Sequence, residues 1–152
     1  MGGWDWSARL HTETLTWVDP DTRSAAIAYH QLGMLAEARG DYAAAEDWYR
    51  RSLTIRERLG DQAGTATSYG QLGLLYVQLG RVEEAVPFTL AALAFFAQAG
   101  SPNTALCVRS LTEQRRSLGD DRFTAILTNH LDPDSVQTIL NATAATPGDP
   151  ST

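Results

Sequence analysis

The chain has 152 residues, of which 43% are hydrophobic, and it carries a formal net charge of −6. This length suits one domain, and the acidic balance argues against nucleic acid or an anionic membrane as partner, because both are bound by basic surfaces. A single cysteine, Cys107, excludes an intrachain disulfide, and no apolar run is long enough to cross a bilayer, so we expect a cytoplasmic protein.

The chain starts with residues 1–21, a segment that contains Trp4, Trp6 and Trp17 and lacks the apolar run of a secretory signal. Its residues 6–18 are compatible with a half-repeat helix that packs on the next element. The sequence DPDT that follows has a capping side chain and an early proline, which are typical of a helix start. We therefore predict that the first full unit begins at residue 22.

Residues 22–60 and 61–100 are two copies of one unit, related by an offset of 40 residues. The segment YHQLG of the first copy corresponds to YGQLG of the second, and the same offset pairs Ala45 with Ala85. Within each copy the apolar residues recur every three or four positions, as they do on one face of an α-helix. Each copy is therefore predicted to form two helices, which end at glycines that also keep the offset: Gly40, Gly60, Gly80 and Gly100.

The rest of the chain is predicted to close the array. Residues 101–131 form a degenerate third unit with a first helix over 103–118 and a shortened second helix. Residues 132–143 form a C-terminal capping helix, as expected for the end of a repeat array. Residues 144–152 are rich in Pro, Gly and Thr and are predicted to be a disordered tail.

The repeated unit resembles a tetratricopeptide repeat (TPR), in the longer form similar to kinesin light chains and bacterial signalling proteins. The resemblance depends on an aromatic residue followed by Leu-Gly in each first helix, and on a small residue early in each second helix. It implies an all-α fold, a right-handed superhelical array of antiparallel helix hairpins. It also implies that Gly33 faces Ala45 and that Gly73 faces Ala85. The aromatic that the family has one turn later is Tyr49 in the first unit and is replaced by Thr89 in the second.

No constellation for catalysis or metal binding is evident in the sequence. The three histidines lack metal-ligand spacing, and no Cys-x-x-Cys or phosphate-binding loop occurs. We therefore predict no metal, no cofactor and no enzymatic activity. The densest basic stretch, which contains Arg50, Arg51, Arg56 and Arg58, is interleaved with acidic residues and is interpreted as a solvated helix face. All twelve cationic residues are arginine, which favours a bacterial origin from a GC-rich genome.

In the family that the chain resembles, the first helices of the hairpins line a concave groove that binds a peptide or a partner helix. Carrying those positions over by register gives a predicted partner-binding groove of twelve residues: Ile27, His30, Met34, Glu37, Thr67, Gly70, Gln71, Leu74, Val77, Arg109, Glu113 and Arg116. The third unit aligns best at an offset of 39, and this register also places Leu106 on the same side. The groove has no lysine and carries Met34 where some family members have the asparagine of a carboxylate clamp.

The favoured function is that of a protein–protein interaction scaffold within a larger signalling or regulatory system. Two alternatives stay open. The first is a peptide or small-molecule sensor with a deep pocket around His30 and Met34. The second is a homodimeric module that associates through the N-terminal tryptophans or the exposed end of the array.

Overall fold

The computed structural model describes residues 22–144, and every regular element in this range is an α-helix. The array of antiparallel helix hairpins predicted from the repeats is confirmed. The seven helices of this part of the chain are α1 (Arg23–Ala38), α2 (Tyr42–Arg58), α3 (Gln62–Gln78), α4 (Val82–Gln98), α5 (Asn103–Leu118), α6 (Asp120–His130) and α7 (Pro133–Ala142).

The turns between successive helices are set by glycines that adopt a positive φ. Gly40 has φ +78° and Gly80 has φ +74°, a conformation that costs glycine little. At the first turn the amide of Asp41 donates to the carbonyl of Ala36 at 2.9 Å, and at the second the amide of Arg81 donates to that of Tyr76 at the same distance. These bonds satisfy carbonyls that the end of the helix leaves free. The turns predicted at these glycines are confirmed.

Four of the helix starts in residues 22–144 are capped by side chains. Thr22, Asp41, Asp61 and Asp132 each accept a hydrogen bond from the backbone amide three residues later, at 2.9–3.2 Å. α4 has no such cap, but Glu83 and Glu84 lie in its first turn, where carboxylates favour the positive end of the helix dipole. α4 also runs without interruption through Pro87.

The core lies between the hairpins. Tyr49, Leu72 and Tyr76 are among the largest fully buried side chains, and they join α2 to α3 in one apolar cluster. A second cluster contains Leu111 and Phe123 and joins α4, α5 and α6. α7 has no fully buried residue in its range; it covers this cluster through Val136, Ile139 and Leu140. The C-terminal helices thus close one end of the apolar core.

The helix-packing glycines lie closest to residues other than the predicted alanines, although Gly73 also contacts Ala85. A Cβ atom at Gly33 would lie 2.5 Å from Cδ1 and Cε1 of Tyr49, so Gly33 faces the tyrosine ring rather than Ala45. At Gly73 the nearest atom is the hydroxyl of Thr89 at 2.9 Å, and the carbonyl oxygen of Ala85 follows at 3.6 Å. The two helices of each hairpin approach closely at the glycine, as predicted. The side chain that lies nearest to the glycine is that of the residue four positions after the predicted alanine.

The predicted half-repeat helix over residues 6–18, the N-terminal tryptophans and residues 145–152 lie outside the described residues. Within residues 22–144, no helix combines the length and the hydropathy that a membrane span requires.

Candidate ligand-binding face

The twelve predicted groove residues all lie on α1, α3 and α5, the first helices of the three hairpins. None of the twelve is buried: eight are exposed and four are half-buried, namely His30, Glu37, Gly70 and Gln71. We call the solvent-accessible side of α1, α3 and α5 the first-helix face. The structure leaves this face open within the described part of the chain, because the second helices pack against the opposite sides of α1 and α3.

The first-helix face carries most of the exposed large hydrophobic side chains of residues 22–144. Six such side chains are exposed, and five of them lie here, with exposed fractions between 41% and 55%: Ile27, Met34, Leu74, Val77 and Leu106. Leu59 lies elsewhere. Scattered exposed hydrophobics need no explanation, but a concentration on one face is typical of a surface that binds another molecule.

The centre of the face is held in place by a polar network between α1, α2 and α3. The Tyr49 hydroxyl donates to the Glu37 carboxylate at 2.6 Å, and the Gln71 amide donates to Glu37 and to the Tyr49 oxygen, each at 3.3 Å. Burial and the Glu37 carboxylate raise the pKa of Tyr49, so the phenol stays protonated and can donate. Two predicted groove residues, Glu37 and Gln71, therefore act together to hold the first hairpin against the second.

His30 lies over the same tyrosine, with ring centroids 5.4 Å apart. Its Nδ1 atom is buried and has no hydrogen-bond partner in the described structure. Burial lowers the pKa of His30, and the positive charge of Arg56 lowers it further. The ring is therefore neutral at neutral pH, and it serves as a packing group within the face rather than as a cation.

A polar hollow of about 200 Å³ lies between the starts of α1 and α3, lined in part by Ile27 and Thr67. Arg56 also lines it, and this is the arginine that the sequence placed on a solvated face. That interpretation was wrong for Arg56, which is only 9% exposed and donates to the Gly64 carbonyl and the Ser68 hydroxyl, both at 3.0 Å. It was right for Arg51, which is exposed and forms an intrahelical pair with Asp47 at 3.1 Å.

A second, apolar hollow of about 220 Å³ lies between α3 and α5, with α4 as its floor. It includes the predicted residues Thr67, Gly70, Gln71 and Leu74, which lie along α3. The small-molecule alternative placed a pocket around His30 and Met34, but neither residue lines this hollow. On its α5 wall the register had placed Leu106, but sequence reasoning missed Asn103, Cys107, Ser110 and Gln114. The one signal for it was the replacement of the family aromatic by Thr89.

The charged residues predicted at the third unit are exposed on α5. Arg109, Glu113 and Arg116 all present their side chains to solvent. They line neither of the two hollows. The structure therefore separates a charged surface on α5 from the apolar side chains of α1 and α3. Within residues 22–144, no three side chains of the metal-ligating types cluster.

The comparisons with known proteins agree with this architecture. The family model described as tetratricopeptide repeat matches residues 24–98. Over these residues the chain belongs to the tetratricopeptide repeat family, as the Leu-Gly and alanine pattern predicted. No curated protein matches the sequence.

Two solved structures are similar to the chain. The crystal structure of BtubC (BKLC) from P. vanneervenii superimposes with a TM-score of 0.69 at 22% identity, over 93% of this chain and 64% of that one. The kinesin-light-chain type TPR-like repeats of Podosopora anserina superimpose with a TM-score of 0.68 at 14% identity, over 92% of this chain and 83% of that one. At these identities the likeness shows the fold alone, an α-solenoid of TPR-like hairpins. The chain spans less than two-thirds of the length of the first protein.

Proposed function

We propose that this chain is a non-enzymatic, cytoplasmic scaffold whose first-helix face binds a peptide or a helix of a partner protein. Repeats of this family generally mediate protein–protein interaction, which supports the broader part of the proposal. The observation that carries the finer part is the concentration of Ile27, Met34, Leu74, Val77 and Leu106 on one accessible face. These side chains follow the direction of the array from α1 to α5, as an extended ligand would.

The chemistry of the expected partner follows from the same face. Apolar side chains of the ligand would pack on α1 and α3, where the exposed hydrophobics concentrate. An acidic group would lie near Arg109 and Arg116 on α5, because guanidinium groups pair well with carboxylates. The net charge of −6 supports a protein ligand rather than nucleic acid.

The proposal is tested by affinity capture from the source cell, with each recovered protein quantified. The triple variant Met34→Ala/Leu74→Ala/Arg109→Ala removes two apolar contacts and one charge from the first-helix face. A matched control, Leu59→Ala/Arg51→Ala, removes an exposed leucine and an exposed arginine from α2 and the turn that follows it. Partners lost by the triple variant and kept by the control support the proposal. Equal recovery by wild type and triple variant contradicts it.

A second copy of the chain is the alternative occupant of the same face, because the exposed apolar side chains could equally well pack against another copy. Sedimentation velocity distinguishes the two. A dimer that the triple variant abolishes supports self-association, and a monomer at high protein concentration rules it out.

A further inference from the structure

The hollow between α3 and α5 exists because the two hairpins differ at one position. In the first hairpin the Tyr49 ring fills the space beside Gly33 and is fully buried. In the second hairpin the equivalent residue is Thr89, and its hydroxyl is the only side-chain atom among the three atoms nearest to a Cβ at Gly73. The smaller side chain leaves an unfilled volume, which α5 encloses from the other side. The result is a cavity of about 220 Å³ at the junction of the second and third hairpins.

A chain of hydrogen bonds fixes the orientation of the Gln114 amide in the wall of this cavity. The Thr89 hydroxyl donates to the carbonyl of Ala85 at 3.1 Å, which uses the one proton that a threonine can donate. Thr89 Oγ1 must then act as the acceptor for Gln114, whose Nε2 donates to it at 2.9 Å. The amide nitrogen therefore faces Thr89, and the amide oxygen has to lie on the other side.

That oxygen has no partner. Gln114 is only 4% exposed, and its Oε1 is buried without a hydrogen bond in the described structure. A buried acceptor without a donor costs free energy, and native structures rarely keep one without a reason. A ligand that brings a donor to this oxygen would regain that free energy.

The remaining wall defines the ligand further. Among the described residues that line the cavity, none carries a charged side chain, and the exposed lining surface is mainly apolar. Phe96 offers an aromatic surface, and burial raises the pKa of the Cys107 thiol, which keeps it neutral. A charged ligand would lose its hydration without finding a counterion. The volume is also below the range of about 300 to 1,000 Å³ that is typical of pockets for drug-sized molecules.

We propose that the cavity between α3 and α5 binds an uncharged, mainly apolar small molecule, about the size of a bicyclic aromatic, whose single N–H or O–H donates to Gln114 Oε1. The site adjoins the first-helix face and shares Leu74 and Leu106 with the surface on which the partner protein is proposed to bind. The cavity is open to solvent, whereas Gln114 Oε1 is shielded in its wall, so binding requires a small rotation of the Gln114 side chain that brings this oxygen to the cavity surface. Leu74 and Leu106, which are 52% and 55% exposed, also line the cavity.

The test uses two probe molecules of nearly equal shape, indole and benzothiophene, which differ in that only indole carries an N–H donor. Binding to the full chain is followed by amide chemical shifts in NMR titrations, with attention to Cys107 and Ser110 on α5. Indole is expected to bind at these residues, and benzothiophene to bind about tenfold more weakly, the factor that one hydrogen bond of about 1.4 kcal/mol gives.

Two variants separate the site from the fold. Gly70→Leu places a side chain into the cavity from α3, where a Cβ atom would meet only the methyl group of Ala92 at 4.0 Å. This variant should raise the melting temperature, because leucine favours a helix more than glycine does, and it should abolish indole binding. Gln114→Leu removes the acceptor, while Thr89 keeps its bond to Ala85, so the two probes should then bind equally. Ile27→Ala, at the other hollow, is the control and should leave indole binding unchanged.

Three results would overturn the assignment: no saturable binding of indole to the wild-type chain, equal affinities for the two probes, or undiminished binding by Gly70→Leu. None of these depends on a protein partner. A negative result with the probe molecules would therefore not bear on the proposed protein interaction, which the capture experiment tests separately.

Discussion

The packing between the two helices of the first hairpin can be tested by replacing Gly33 with alanine. Alanine stabilises a helix interior by about 1 kcal/mol relative to glycine, so an open position would gain stability. Gly33 is not open, because its added Cβ atom would lie 2.5 Å from two atoms of the Tyr49 ring. That ring is fully buried and cannot move aside freely.

The expected cost exceeds the gain. Overpacking a core costs about 1 to 3 kcal/mol, and a hydrogen bond to a charged group, such as that of Tyr49 to Glu37, is worth about 1.5 to 3 kcal/mol. If the ring shift weakens that bond only in part, the net destabilisation of Gly33→Ala is about 1 to 3 kcal/mol. Gly70→Ala is the matched control, since its Cβ atom meets nothing closer than 4.0 Å, and it should gain up to about 1 kcal/mol.

The assay is urea unfolding followed by far-ultraviolet circular dichroism, with the free energy of unfolding taken from linear extrapolation. Gly73→Ala should fall between the other two variants, because its Cβ atom would meet a threonine hydroxyl at 2.9 Å rather than an aromatic ring. If Gly33→Ala proves as stable as Gly70→Ala, the close contact with Tyr49 is refuted.

Three further predictions follow from single contacts. The hydrogen bond to the Glu57 carboxylate raises the pKa of Tyr69 to about 12, so this bond should stabilise the fold fully below pH 10 and be lost as the pH rises toward 12. Tyr69→Phe should therefore show a smaller fall in the urea midpoint over this pH range, and an equal fall in the two chains would contradict the assignment. Burial lowers the pKa of His30, so the stability of the fold should decline as the pH falls below about 6.5, and it should decline less in His30→Gln. The measurement is thermal unfolding as a function of pH, and equal declines in the two chains would show that another group is responsible. Arg115 holds the C-terminal end of α7, because it donates to the Leu140 carbonyl at 2.9 Å and to the Thr143 hydroxyl at 3.0 Å. Arg115→Met should therefore speed amide hydrogen exchange in α7 and leave exchange in α1 unchanged, and equal protection of α7 in the two chains would contradict this role of Arg115.

The helix bounds were predictable because the signals that set them are local. A glycine that repeats every 40 residues indicates a helix end whatever the rest of the chain does, and the positive φ at Gly40 and Gly80 shows why glycine is there. The apolar spacing within each unit likewise depends only on the geometry of one helix. These signals survive in a single sequence, so the hairpins could be predicted without any tertiary information.

The environment of Arg56 could not be predicted in this way. The arginines of α2 are interleaved with acidic residues, as on a solvated helix face, and for Arg51 that interpretation is correct. Arg56 instead lies against α3, where its guanidinium reaches a carbonyl and a hydroxyl of the next hairpin. Charge spacing along one helix carries no information about what packs beside it, so the sequence alone could not separate the two arginines.

The candidate site shows the same limit more sharply. The exposed residues of α1 and α3 could be placed by register, since the offset of 40 residues holds through both hairpins. On the α5 wall of the cavity the register placed only Leu106, because the third unit matches only at an offset of 39 and its side chains change type. The substitution of threonine for the family aromatic was visible at Thr89, but its consequence depends on whether a neighbour fills the space. Gln114 fills it only in part, and no local pattern indicates that.

The two junctions of the array therefore differ in kind, although their backbones are alike. At the first junction, between the first and second hairpins, the space between α1 and α3 is filled by Tyr49, Glu37 and Gln71, which hydrogen-bond to one another. Substitutions there should therefore act mainly on stability. At the second junction Thr89 and Gln114 leave a cavity and an unpaired acceptor, so substitutions there should act mainly on binding. A repeat array can place both tasks on the same architecture because each hairpin contacts chiefly its neighbours, and a change at one junction leaves the packing of the other intact.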